Sequence, residues 1–163
     1  MFGFLKVAKA EKAAVQALRP FVQRHLEPWP PSFWRDPFVL GFLMVVIAKV
    51  GRFETNGKLT TEQTGRVLIR TIDSVGGKSS DFNDRIAHLS KERDPDFFQG
   101  AENAKIIVDY IYGAAPLDTH PAVVAATRLA EGLSMDGRID RDSIAGGLIH
   151  SLFVEVVQKR LGS

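Results

Sequence analysis

No cysteine occurs anywhere in the 163 residues. That excludes a disulfide scaffold, thiolate zinc sites, iron–sulfur clusters and a cysteine nucleophile, and it fits a reducing compartment. Charge of one sign is missing too: 21 basic side chains face 19 acidic ones, for a formal net charge of +2. The calculated pI of 9.0 therefore overstates the basicity and is no argument for nucleic-acid binding. Long apolar runs are absent. The longest, Phe38 to Ala48 with Gly41 inside it, falls well short of the roughly 20 residues that span a bilayer. Lys6, Lys9, Glu11 and Lys12 break up the apolar start, so no signal-peptide core forms. Phe2 stands where myristoylation needs glycine. These absences predict a soluble, cytoplasmic protein, and the chain length suits one domain over residues 1–163. Strand alternation bounded by hairpin turns is not found either.

What is present is helical periodicity, almost throughout. A first helix is predicted from Leu5 to His25, with Ala8, Val15, Leu18 and Val22 on its apolar face. Pro28, Pro30 and Pro31, interleaved with Trp29, Phe33 and Trp34, read as a stiff aromatic linker. Asp36-Pro37 reads as a cap and first helical residue. It opens a helix to Phe53 that is apolar nearly all round: Phe38, Val39, Phe42, Leu43, Val46, Ile47 and Val50. Such a helix is either the central buried element or half of a homodimer interface. Thr60 and Gln63 form a capping box for a helix ending near Gly76-Gly77. Asp81 to Lys91 carries a short linker helix with Phe82, Ile86 and Leu89 inward, and Asp94-Pro95 opens a helix to Tyr112 that stops at Gly113. Pro121 begins a helix to Ser134. A last helix runs from Asp140 or Arg141 to Leu161, with Ala145, Leu148, Leu152, Phe153 and Val156 inward. The fold class expected is all-α: a single-domain bundle of about seven helices.

One turn occurs twice. Asn56-Gly57-Lys58-Leu59-Thr60-Thr61-Glu62 is echoed by Asp136-Gly137-Arg138-Ile139-Asp140-Arg141-Asp142. Behind each copy, Leu68-Ile69 matches Leu148-Ile149 and Ile72 matches Leu152. The segment from Pro37 to Gly57 exceeds that from Pro121 to Gly137 by about one helical turn, a difference that keeps the apolar face in register. The pattern suggests a pseudo-repeat of helix–turn–helix units, about 5–76 and 95–161, around a linker helix at 81–92. Leu59 and Ile139 would then pair across a pseudo-twofold axis.

The same turn looks like the middle of an EF-hand loop, where glycine makes the bend and acids supply oxygen ligands. With the glycine at position 6, positions 1, 3, 5 and 12 fall on Arg52, Glu54, Asn56 and Gln63 in the first copy. In the second they fall on Gly132, Ser134, Asp136 and Ser143. Neither copy has the first acid or the closing glutamate, which argues against tight calcium binding. The turns also resemble those of the tellurite-resistance TerB-like family, small helical proteins with Asp-Gly-x-Ile-Asp turns. The matching residues are Asn56, Gly57, Leu59 and Glu62, and Asp136, Gly137, Ile139, Asp140 and Asp142. The resemblance implies a helical bundle, a stress-associated or regulatory role, and metal ions at acidic positions. The chain departs from the family at Lys49, Arg52 and Asn56, where acids would stand.

Other motifs are sparse. His25, His88, His120 and His150 make no pair at a spacing that would put two ligands on one helix face. Gly76-Gly77-Lys78-Ser79-Ser80 imitates the end of a phosphate-binding loop, but Ile72 stands where its first glycine belongs and a helix precedes it. No catalytic elbow or dinucleotide fingerprint appears. The remaining signal is charge. Lys49, Arg52, Lys58, Arg66 and Arg70 outweigh Glu54 and Glu62 around the first turn. A docking patch for an acidic protein partner, or for a second copy of the chain, is expected at Lys49, Arg52, Arg66 and Arg70 together with Trp29 and Trp34. No aromatic interleaving accompanies the cations, which argues against nucleic acid. The reading is thus a non-enzymatic interaction or regulatory module without a cofactor. The alternative is a protein binding a divalent metal or small ligand through Asp136, Asp140 and Asp142, joined by Asp109 or His120.

Overall fold

Aspartate followed by proline opens two of the helices. Asp36 accepts a hydrogen bond from the Val39 amide at 3.2 Å, and Asp94 accepts one from the Phe97 amide at 2.9 Å. Each carboxylate satisfies an amide that a helix start leaves bare, and the proline behind it has no N–H to lose. A computed structural model describes residues 2–23, 28–113, 117–133 and 139–162. It is all-α, with seven helices and no strand among the described residues. They are α1 (Phe2–Val22), α2 (Pro37–Glu54), α3 (Thr61–Ser74), α4 (Ser79–Glu92), α5 (Pro95–Tyr112), α6 (Pro121–Leu133) and α7. The last begins as Arg141–Ile149, passes through a π-helical turn at His150–Val154 and ends as Glu155–Leu161. A 3-10 turn, Pro31–Arg35, precedes α2. The chain divides into two compact units, Met1–Lys105 and Ile106–Ser163, and the division falls within α5.

In the first unit α2 is the central buried element. Phe38, Val39, Leu40, Phe42, Leu43, Val46, Ile47 and Val50 are all buried within the chain, each side chain contributing about 1.5–3 kcal/mol. Those residues pack against α1, α3, α4 and the 3-10 turn. The buried stripe of α1 differs from the predicted one. It is Val7, Ala10, Ala14, Leu18 and Phe21, while Ala8, Val15 and Val22 are half-buried. The two alanines let α1 approach α2 closely: a β-carbon placed on Gly51 would touch the Ala10 methyl at 3.5 Å. α1 ends at Val22 rather than His25, two residues after Pro20 removes a helical donor; His25 itself lies outside the described residues.

The aromatic linker is more ordered than a spacer. Phe33 in the 3-10 turn is fully buried. Trp29 stacks on it at 5.2 Å and donates its indole N–H to the Phe21 carbonyl at 2.7 Å.

Three successive helices end in the same motif. The Gly57 amide donates to the Arg52 carbonyl at 2.8 Å, Gly77 to Ile72 at 3.0 Å, and Asp94 to Leu89 at 3.0 Å. The residue before each donor is left-handed: Asn56 (φ 52°), Gly76 (φ 94°) and Arg93 (φ 53°). This is the Schellman termination, which satisfies carbonyls that a helix end leaves unpaired. The first Asn-Gly turn is thus a helix terminator. Its partner copy cannot be compared, because 134–138 lie outside the described residues. Leu59 lies against Gly51, 3.3 Å from where a β-carbon would stand. Arg93 is exposed, and arginine at a left-handed position is strained where glycine is not. Arg93→Gly is expected to raise stability by about 0.5–1 kcal/mol, read as a higher midpoint in a urea melt.

The second unit holds the end of α5 with α6 and α7. Ile107, Val108, Val123, Ala126, Leu148, Phe153 and Val157 are buried. Arg141, at the start of α7, donates to the Tyr110 carbonyl and lies 5.3 Å over the Tyr110 ring. It thereby caps the C-terminus of α5, where Gly113 turns the chain at φ 64°.

Candidate functional site

The C-terminal turn of α2 carries the candidate site. Lys49 and Phe53 are four residues apart and so share one face of the helix. Arg52 and Asn56 follow with the same spacing. With Gly57 these side chains line a shallow groove of 320 Å³. The termination described above shapes its floor, since Asn56 and Gly57 bend the chain away without adding bulk. Behind it, the Thr55 hydroxyl donates to the Gly51 carbonyl at 2.8 Å, and Lys9 donates to the Glu54 carbonyl at 2.7 Å while pairing with the Glu54 carboxylate at 3.5 Å. The end of α2 is therefore tied to α1 by a cation, in the position that the helix dipole favours. No acidic side chain lines the groove among the described residues.

Of the six residues expected to contact a partner, the structure brings together Lys49 and Arg52. Arg66 pairs with Glu62 at 2.6 Å on the exposed face of α3. Arg70 reaches Glu11 at 3.6 Å and sits 5.7 Å over the Phe4 ring, so it ties α3 to α1. Both cations are partly neutralised where they stand. Trp29 is half-buried on Phe33 and hydrogen-bonded; Trp34 is half-buried and meets Phe33 edge-on at 5.2 Å. Phe53 was not singled out in the sequence. Its spacing from Lys49 was the available signal.

The acidic residues are placed differently. Asp136 lies outside the described residues. Asp140 is the cap of α7, accepting from the Ser143 amide at 2.7 Å and from its hydroxyl at 2.6 Å. The Ser143 hydroxyl, then its amide, holds the Asp140 carboxyl below the usual carboxylate range. Asp142 is exposed in the first turn of α7, where acids favour the positive helix end. Asp109 is buried in α5. His120 accepts the Ala122 amide on Nδ1 at 3.2 Å, as a helix-starting cap. Among the described residues, no three His, Asp or Glu side chains converge in a way that could hold a metal ion.

The EF-hand comparison ends in the same kind of role. Gln63, at the closing-glutamate position, accepts the Thr60 amide at 3.0 Å, and Thr60 accepts the Gln63 amide at 3.2 Å. This is the predicted capping box, and it engages the side chain that a cation would need. Among the described residues no helix is long and apolar enough to cross a membrane. Comparison with protein-family models, with curated proteins and with solved structures returned no match.

Proposed function

We propose that the chain is a non-enzymatic, cytoplasmic interaction module whose α2 groove holds an acidic segment of a partner protein. The observation that carries this reading is the lining of the groove: two cations, Lys49 and Arg52, beside an aromatic ring, Phe53, with no acid among the described lining residues. A segment alternating carboxylates with bulky apolar residues fits both features, the carboxylates giving charge complementarity and the apolar group covering Phe53. A regulatory, stress-associated role accords with the TerB-like resemblance of the turns.

The test is a fluorescein-labelled peptide of alternating glutamate and leucine, followed by anisotropy. Binding is expected to weaken as salt is raised and to fall at least about tenfold, or about 1.4 kcal/mol, in Arg52→Glu. Arg52 is exposed, and that variant is expected to change stability by no more than about 0.5 kcal/mol. Unchanged binding in Arg52→Glu, or equal binding of a lysine–leucine peptide, would sink the reading.

A further inference from the structure

The first unit has a second, smaller cavity, away from the α2 groove. Pro31, Trp34 and Phe82 form its apolar walls, Gly76-Gly77 closes one side, and Arg35, Lys78 and Asp81 complete the lining. Its volume is 180 Å³, below the roughly 300–1,000 Å³ of sites for drug-sized ligands. Only a fragment-sized molecule fits.

The aromatic wall is held in place before any ligand arrives. Trp34 meets the fully buried Phe33 ring at 88°. Behind it, Gly77 is so close that a β-carbon there would stand 3.0 Å from the indole ring and 2.6 Å from Ile72 Cγ2. A ring fixed this way offers a flat surface at little entropic cost on binding.

The polar groups around that wall are unspent. Trp29, five residues earlier, donates its indole N–H to Phe21, whereas the Trp34 indole N–H has no acceptor among the described residues. The Arg35 guanidinium and the Lys78 ammonium likewise form no ion pair among the described residues, although the Arg35 carbonyl is fixed by Arg85 at 2.9 Å. Among the described residues, the Asp81 side chain accepts only a long bond, 3.4 Å, from the Ser80 hydroxyl. The start of α4 does not supply the missing partner. Its Ser79 amide and hydroxyl already donate to Asp73, at 3.0 and 2.9 Å. The Gly-Gly-Lys-Ser-Ser sequence is therefore no phosphate cradle; it leaves Lys78 at the mouth of an aromatic cleft.

Two cations against one carboxylate select an anion, and the fixed indole selects a planar one. We propose that this cleft binds a small planar carboxylate, its ring lying on Trp34 and its charge shared by Arg35 and Lys78. The site is independent of the α2 groove.

Benzoate is the probe, with the indole N–H resonances as the readout and Trp29→Phe to assign them. The Trp34 resonance is expected to shift saturably and the Trp29 resonance to stay in place. Benzyl alcohol and benzylammonium should bind at least about tenfold more weakly, since each lacks the charge that the cations need. The double variant Arg35→Gln, Lys78→Gln should lose benzoate by a similar factor. Both side chains are exposed, so its melt should match the parent; in the parent, benzoate affinity should also fall with salt. Arg52→Glu should bind benzoate unchanged, which separates this site from the proposed peptide groove. A non-saturating shift, equal binding of benzyl alcohol, a preference for benzylammonium through Asp81, or full affinity in the double variant would overturn the proposal.

Discussion

Gly41→Ala is expected to unfold the first unit, or to leave it with little stability. α2 and the first half of α5 cross at two glycines placed reciprocally. A β-carbon on Gly41 would overlap the Phe97 carbonyl oxygen, and one on Gly100 would overlap the Phe38 carbonyl oxygen. In each case the obstacle is backbone, which cannot swing aside as the end of a long side chain can. The helices would have to move apart, and α2 has no slack: Phe38, Val39, Leu40, Phe42 and Leu43 around the crossing are all fully buried. Overpacking a core costs about 1–3 kcal/mol when side chains can shift; with backbone as the obstacle, about 4 kcal/mol or more is expected. Against a typical total of about 5–15 kcal/mol, that is a large share. Gly100→Ala should cost a similar amount, and the double variant should not be rescued, because each change makes its own overlap. Gly65→Ala is the control. It sits in α3 with nothing within 4 Å of a β-carbon and should gain about 0.5–1 kcal/mol from helix propensity. Urea midpoints of the four variants decide the matter; a Gly41→Ala midpoint near the parent would mean that the helices do not cross there.

Those glycines show where reading the sequence stopped. Local signals translated well. Asp36-Pro37, Thr60 with Gln63, Asp94-Pro95 and Gly113 each mark a helix end through chemistry confined to a few residues, and each lies where it was expected. The apolar pattern of α2 from Phe38 to Val50 is matched by its burial, while its last turn, with Lys49 and Arg52, stays open. A close crossing is different: it depends on which other helix arrives, and glycine in a sequence does not say whether its missing side chain is used. The stripe of α1 was misplaced for a related reason. Its seam uses Ala10 and Ala14, small residues that count little toward an apolar pattern but allow close approach. At the candidate site, the local excess of cations included Lys49 and Arg52, which line one groove. The same reasoning could not see that Glu11, distant in sequence, would meet Arg70. Charge partners across helices are a tertiary property; the terminating role of Asn56-Gly57 is local, but the short motif is shared with an ion-binding loop.

The π-helical turn in α7 gives the sharpest test of such tertiary effects. An ordinary α-helix would carry Leu148, Leu152 and Val156 inward at steps of four, as the spacing predicts. The structure buries Leu148 and Phe153, both expected inward, but continues to Val157 in place of Val156 and leaves Leu152 and Val156 half-buried. The cause is one extra residue in the turn. The Glu155 amide donates to the His150 carbonyl, five residues back, and the step from Leu148 to Phe153 is likewise five. The Ser151 hydroxyl donates to the Gly147 carbonyl at 2.9 Å beside this change of register. The widened turn also brings His150 and Glu155, five apart, to 3.7 Å. Phe153→Ala is therefore expected to cost about 3–5 kcal/mol of the second unit's stability, the range for emptying a buried phenyl site. Leu152→Ala should cost no more than about 1–2 kcal/mol, since that side chain is only partly covered. Hydrogen exchange of the α6 and α7 amides reads the two losses within that unit. Equal losses, or a larger one for Leu152→Ala, would restore the plain α-helical register and remove the π turn. The larger loss for Phe153→Ala would establish that the fully buried phenyl ring sets the register of α7, and that the helix accepts a wider turn to seat it.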